Sequence, residues 1–271
     1  MYKLIASVVI FNNKIEEIED LIKKFHTKNL NQKLVIIDNS KTKGIKEEIL
    51  KINTSVDYIE SENIGYGRAN NIAIKKYAGQ AEYFIIMNPD IKFDVDSLEK
   101  LINFADEKKN FGIIMPKICN EDNEVQYLCK LLPKPTDLLI RRFFNYIFFT
   151  KKTNYNYECR FSNYDRIINV PFVSGCFMFC NYNNLVSECG FDSLFFMYLE
   201  DVDLSRRMYK YGNYYFPEAC VFHLHKKESF KSIKMTYEHV KSAIKYFNKW
   251  GWIFDTERKK INCEIMKKYK K

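Results

Sequence analysis

No two of the eight cysteines stand as a CxxC pair, so the ligand spacing of a zinc ribbon is absent. Cys119, Cys129, Cys159, Cys176, Cys180, Cys189, Cys220 and Cys263 are scattered along the chain. Cys176 and Cys180 sit inside the apolar run GCFMFC, which predicts reduced, buried thiols in a cytosolic protein. No run of 18 apolar residues exists, which excludes a helix spanning a membrane. The opening MYKLIASVVIFNN is short and has no small-residue cleavage site, so it predicts a first strand rather than a signal peptide. Internal repeats and Gly/Ser linkers are missing too, which predicts one continuous domain.

What remains is a chain of 271 residues, 46% hydrophobic and 28% charged. That is enough for a packed core and too apolar for wholesale disorder. The net charge of +9 lies at one end: residues 226–271 hold 14 Lys and Arg against 5 Asp and Glu, and residues 1–225 balance to zero. Such a segment predicts an anionic partner or surface, or else a solvated helical face.

The first half alternates. KLIASVVIF (3–11), KLVIIDNS (33–40), VDYIE (56–60), EYFIIMN (82–88) and FGIIMP (111–116) read as strands. IEEIEDLIKKF (15–25), GIKEEILKI (44–52), YGRANNIAIKKY (66–77) and DSLEKLINFADE (96–107) read as helices, the last with Asp96 as N-cap and Glu99 three residues on. The alternation predicts an α/β fold with a mostly parallel sheet and right-handed crossovers. Ligands bind such sheets at the carboxyl ends of the strands, which here carry Asn12, Asp38, Glu62, Asn63, Asn88 and Asp90.

The second half is less regular. PKPTDLLIRRFFNYIFF (133–149) is aromatic and basic, and 150–165 reads as a mobile loop. VPFVSGCFMFC (170–180) is a buried strand interrupted at Ser174 and Gly175. LEDVDLSRRMYKYG (199–212) is a helix with an acidic start and a basic finish, matching the helix dipole. EACVFHLHKKES (218–229) is a strand leading into His223 and His225, and two basic helices follow.

Four stretches invite chemistry. In IIMNPDI (85–91) a strand ends on Asp90, which is a plain turn or a residue that holds something. NIGYGRANN (63–71) sets Gly65 and Gly67 at a helix entry, either to let a phosphate approach or simply to start the helix. Arg68 and Asn70 stand where a dinucleotide GxGxxG needs glycine, so that site is disfavoured. Glu200, Asp201 and Asp203 crowd a helix start, where Asp203 can pair with Arg207 and where burial beside FFMY would raise one carboxyl toward a useful base. His223 and His225 share a face at strand spacing, as satisfied polar residues or as contacts to a metal or phosphate.

Taken in order, SVVIFNN, IIDNS, ENIGYGRANN, IIMNPDI, VSGCFMF and FFMYLEDVDLSRRMYKYG resemble family 2 glycosyltransferases of the GT-A fold over roughly residues 3–229. The NPD form and the EDVDLxxR stretch most resemble bacterial rhamnosyltransferase-like members. The resemblance implies a GT-A domain over 1–229, with a nucleotide-sugar half at about 1–116, an acceptor half at about 117–229, and a basic helical extension over 230–271. By matching positions, Asn12, Asp38, Asn63, Gly65, Arg68, Asn71 and Asn88 belong to the nucleotide surface, with Asp38 on the base or ribose. Asp90 matches the last acid of the DxD metal pattern, and His225 the later histidine, preferred over His223 because HKKES resembles the family's HxxxS spacing. Asp201 matches the catalytic base with Glu200 beside it, and Ser174 and Gly175 match the turn lining the acceptor site.

The implied reaction is inverting transfer from a nucleotide diphosphate sugar of dTDP-rhamnose or UDP-hexose type, assisted by Mg²⁺ or Mn²⁺. The implied acceptor is a glycan or lipid-linked molecule of bacterial surface polysaccharide or lipopolysaccharide synthesis. The enzyme would be cytoplasmic and peripheral on the inner face of the plasma membrane, touching anionic lipid through residues 226–271 and RRFFNYIFF, with no nucleic acid partner. Two departures stand out: Asn88 replaces the first acid of DxD, and Arg68 replaces a small residue. The competing readings are a non-catalytic nucleotide-sugar-binding module and a nucleotidyltransferase.

Overall fold

Continuous β-branched runs have no polar face to show to water, so they are buried on both sides. The computed structural model describes residues 1–25, 30–41, 44–138, 149–224 and 233–270, with backbone alone for 149–152. The elements run β1 (Tyr2–Ile10), α1 (Ile15–Phe25), β2 (Gln32–Asp38), α2 (Lys46–Ile52), β3 (Asp57–Glu60), α3 (Tyr66–Lys76), β4 (Ala81–Met87), β5 (Ile91–Phe93), α4 (Val95–Lys108) and β6 (Ile113–Cys119). After them come β7 (Cys129–Lys130), α5 (Phe149–Tyr157), β8 (Ile168–Asn169), β9 (Phe172–Val173), β10 (Phe177–Asn181), α6 (Tyr182–Ser187), α7 (Glu200–Met208), β11 (Tyr214–His223), α8 (Ile233–Trp250) and α9 (Thr256–Tyr269).

The main sheet has the order β3-β2-β1-β4-β10-β6-β11-β5, with β8 also paired to β11. β3, β2, β1 and β4 pair in parallel, as do β6 and β11. β10 slots antiparallel between β4 and β6, and β5 and β8 run antiparallel to β11. The sheet is therefore mixed and mostly parallel. Short β7 and β9 form a second, two-stranded sheet. α1 buries Ile18, Leu21, Ile22 and Phe25, the apolar stripe its spacing predicts. No helix among the described residues is long and apolar enough to cross a membrane.

Two expectations change. α4 starts at Val95 with Asp94 in the cap position, while Asp96 pairs with Lys100 one turn on at 2.8 Å. The polar stretch 150–165 is not a loose loop: α5 is followed by a 3₁₀ turn at Arg160–Ser162. Tyr157, Cys159, Phe161 and Tyr164 are buried there, and these side chains hold an otherwise polar segment in the core.

The basic C-terminal segment packs into the same core through Tyr246, Phe247, Ile261 and Ile265. Its strongest tie is ionic. Arg206 of α7 donates both terminal nitrogens to the Asp255 carboxylate at 2.7 Å each and one to Glu257 at 2.7 Å. The guanidinium lies 4.1 Å from the Trp250 ring centre, a cation–π contact. Asp203, one turn earlier, accepts from Trp250 at 2.8 Å, Lys249 at 2.7 Å and Arg207 at 2.9 Å.

Burial alone would push the Asp255 carboxyl up, but hydrogen bonds from Arg206 and the Arg258 N–H hold it below its ordinary value. Its contribution to stability is thus present at neutral pH and lost only as pH falls through that lowered value. Removing one partner of a buried pair strands the other charge. Asp255→Ala is expected to cost about 3–5 kcal/mol in urea unfolding at pH 7; a loss under about 1 kcal/mol would mean that Arg206 is held by Glu257 and Trp250 alone.

Candidate active site

Ser174, Gly175 and Cys176 form the break between β9 and β10, and three distant elements meet on it. Asp201 Oδ2 accepts from the Gly175 N–H at 3.0 Å. Tyr66, the first residue of α3, donates its hydroxyl to the Gly175 carbonyl at 2.8 Å. The Asn88 N–H donates to the Cys176 carbonyl at 2.9 Å. A Cβ on Gly175 would sit 3.1 Å from Asp201 Cβ, so a side chain there would press on the carboxylate it binds. α7 is fixed to the same strand, since the Ser205 hydroxyl bridges the N–H and carbonyl of Val173 at 3.3 and 3.2 Å. Tyr66 is absent from the sequence-level site; its one signal is an aromatic wedged between Gly65 and Gly67.

The two carboxylates at the start of α7 differ in surroundings. Asp201 is half-buried and also accepts from the Val202 N–H at 2.9 Å. Glu200 is buried, and its Oε2 has no partner among the described residues. Burial first, then the Asp201 charge, pushes the Glu200 carboxyl up to about 8. Burial also raises Asp201, against the pull of the Gly175 N–H and the nearby Lys130 ammonium. The pair thus matches the sequence-level expectation that crowding and burial lift a carboxyl.

At the end of β4, Asp90 Oδ1 lies 3.4 Å from His223 Nε2, and Asn88 Nδ2 lies 3.5 Å from the same nitrogen. Gln126 donates its amide nitrogen to the carbonyls of His223 and Cys119, at 2.9 and 3.3 Å. That turns its oxygen toward His223 Nδ1, 3.3 Å away. Gln126 thereby orients the imidazole, with Nε2 facing Asp90. His225, the expected histidine, lies outside the described residues; the histidine beside Asp90 is His223, carried there by the pairing of β11 with β5.

No group of three or more His, Cys, Asp or Glu side chains gathers as a metal set among the described residues. Asp90 and His223 nonetheless fit a divalent ion. Two ligands about 2.1 Å from one ion lie about 3.0–3.4 Å apart at right-angled to tetrahedral geometry.

The nucleotide-side expectations divide. Asp38 is fully buried, accepting from the Ser40 N–H at 2.8 Å and from the Tyr58 hydroxyl, so it braces the strand edge instead of lining a cleft. Asn12, at φ +57°, is exposed and donates its N–H to Ser40 Oγ at 2.7 Å. Asn63 is exposed and borders an open cleft of about 480 Å³ with Ser40, Lys41, Glu60, Ser61 and Glu62. Gly65, Arg68 and Asn71 serve packing. Tyr66 N–H already donates to the Phe196 carbonyl, and a Cβ on Gly65 would meet that oxygen at 2.1 Å. Arg68 Nε donates to the Ser193 carbonyl at 2.8 Å. Asn71 uses both ends of its amide on the Phe191 backbone, at 2.7 and 2.9 Å. These contacts zip the start of α3 to the 191–196 segment, toward which Arg68 and Asn71 turn. A larger apolar cavity, about 1230 Å³, lies between Leu131, Tyr157, Trp252 and Met266 and contains none of these residues.

The Glu200 environment has a thermodynamic signature. A carboxyl raised on folding stabilises fully below its unfolded value and loses that contribution as pH rises toward the folded one. Glu200→Gln removes the titration, so urea unfolding should show the variant gaining on the parent by about 1 kcal/mol or more between pH 5 and 8. A constant difference across that window would mean that Glu200 is charged in the folded state.

The model of glycosyl transferase family 2 matches residues 7–181. The chain is 25% identical over 253 residues to the rhamnosyltransferase WbbL of Escherichia coli K12, covering 90% of this chain and 92% of that protein. It is 29% identical over 214 residues to the N-acetylglucosaminyl-diphospho-decaprenol L-rhamnosyltransferase of Mycobacterium tuberculosis, covering 72% of this chain and 67% of that protein. Among solved structures, GalNAc-T7 with UDP, GalNAc and Mn²⁺ superposes with a TM-score of 0.62 at 12% identity, over 84% of this chain and 44% of that one. That likeness establishes the GT-A fold. The match over residues 7–181 places the chain in glycosyl transferase family 2, and it is a glycosyltransferase of the rhamnosyltransferase-like kind.

Proposed function

We propose that this enzyme transfers a sugar, with inversion, from a nucleoside diphosphate donor of dTDP-rhamnose or UDP-hexose type to a glycan or lipid-linked acceptor of bacterial surface polysaccharide. The observation that carries the reading is the turn 174–176, which holds Asp201 on one side and the Asn88–Asp90 strand end on the other. The names of the relatives support a rhamnose donor and, for the mycobacterial protein, a polyprenyl diphosphate acceptor.

In this reading the nucleotide lies along the cleft at Ser40 and Asn63, near Asn12, and its diphosphate reaches Asp90. Asp201 takes the proton from the acceptor hydroxyl as that oxygen bonds the anomeric carbon, and the bond to the diphosphate oxygen breaks on the opposite face. The Gly175 N–H orients the carboxylate through Oδ2. Glu200, neutral below about pH 8, leaves the local negative charge on Asp201. Asp90 and His223 would hold Mg²⁺ or Mn²⁺, whose charge stabilises the departing diphosphate. Asn88 adds no charge to this pair, and the field of the Lys130 ammonium draws Asp201 down. A lipid-linked acceptor would bring the enzyme to the cytoplasmic face of the membrane.

Asp201→Asn keeps the shape of the base and removes its basicity. It should leave the thermal shift produced by the preferred nucleotide sugar unchanged and cut transfer by about 100-fold or more. Full transfer by the variant would refute the assignment, and donor binding without transfer by the parent would establish a binding module. Asp90→Ala, His223→Ala and chelation should each weaken nucleoside diphosphate binding, by about tenfold or more; no effect from any of the three removes the ion.

A further inference from the structure

α8 shows two apolar faces, and only one is covered among the described residues. The inner face buries Ser242, Tyr246 and Phe247. The outer one carries Ile233, Tyr237, Val240 and Ile244, exposed by 89, 65, 38 and 44%. Steps of four, three and four put these residues in one line about 16 Å long. Asn248 continues the line and accepts from the Trp252 indole at 2.8 Å, and the Trp252 ring also packs on Phe247, 5.2 Å between ring centres. Beyond it, Ile253 and Phe254 stand 69 and 88% exposed on the turn before α9. Scattered surface apolar residues need no explanation, but four in line on one helix and three more on the turn that follows it do.

Lysines border the strip. Lys234 and Lys241 are exposed on the adjoining face of α8, and Lys259 and Lys260 are exposed on the first turn of α9. This lies within the segment that holds the whole net charge of the chain. A second copy would bring the same cationic surface against itself, whereas an anionic bilayer complements it. An apolar stripe edged by lysine and ending in Trp is what an interfacial helix requires.

We propose that the outer face of α8 and the Trp252–Phe254 turn dock the enzyme on an anionic lipid surface, the turn entering the headgroup layer. The inference rests on the proposed lipid-linked acceptor only for its purpose; the surface itself is read from exposure and charge. The turn is flanked by Trp250 and Asp255, the residues that clamp Arg206 and Asp203 of α7. Docking therefore sets the height of Asp201 above the membrane.

The full-length protein is sedimented with phosphatidylcholine vesicles, with and without about a quarter phosphatidylglycerol. The parent should bind the anionic vesicles, release at high salt, and show a blue shift in tryptophan emission that Trp252→Phe removes. The pairs Ile253→Ser/Phe254→Ser and Tyr237→Ser/Ile244→Ser should each lose about tenfold or more in partitioning. Their transfer to a water-soluble acceptor analogue should match the parent, which shows that they fold. Parent-like vesicle binding by both pairs, no binding by the parent, or a dimer that the substitutions dissolve would overturn the proposal. Vesicle binding without use of any lipid-linked acceptor would overturn the acceptor reading and leave the docking surface standing.

Discussion

The contact between the Gly175 N–H and Asp201 Oδ2 is the constraint on which the site depends. It joins a break in a buried strand to the start of a helix 26 residues later, and a side chain at residue 175 would crowd Asp201, its Cβ lying 3.1 Å from that of Asp201. The same three-residue turn fixes Tyr66 at the head of α3 and Asn88 at the end of β4. A parallel sheet delivers its strand ends to one edge but leaves them unconnected. Here the turn connects them, so the carboxylate at the start of α7 keeps a fixed relation to the Asp90–His223 pair.

The second constraint is ionic and lies behind the first. Arg206 and Asp255, each with a side chain 2% exposed, tie the back of α7 to the turn between the last two helices. Asp203 repeats the tie through Trp250 and Lys249. Three acidic residues within four positions thus have separate tasks. Asp203 is spent on structure, Glu200 is buried with its carboxyl pushed up by desolvation, and Asp201 meets the turn with its two oxygens held by backbone N–H groups. The desolvation that raises Glu200 is itself a product of this packing.

Much of this was legible in the sequence because it is local. Apolar runs of strand length, the Ser174–Gly175 interruption and the EDVD helix start each carry their own signal, and the order of motifs supplied the family. What was hidden depends on partners far away in the chain. β10 enters between β4 and β6, a choice of neighbour that an apolar run does not encode. Arg68 and Asn71 looked free for a nucleotide, but the 191–196 segment takes their donors and acceptors. The HxxxS spacing favoured His225, which lies outside the described residues. His223 is set beside Asp90 by the pairing of β11 with β5, and its ring is oriented by Gln126, 97 residues away. Arg206 read as part of a basic helix end, and only folding shows that it faces Asp255.

In the proposed mechanism Asp201 is the base on the acceptor side and the sugar is transferred by a single displacement, which inverts the anomeric centre. NMR of the product made from an α- or β-configured nucleotide sugar tests this most directly. The opposite anomeric configuration in the initial product is the result predicted; the same configuration as the donor would contradict it and require a covalent or front-face route that this arrangement of residues does not provide.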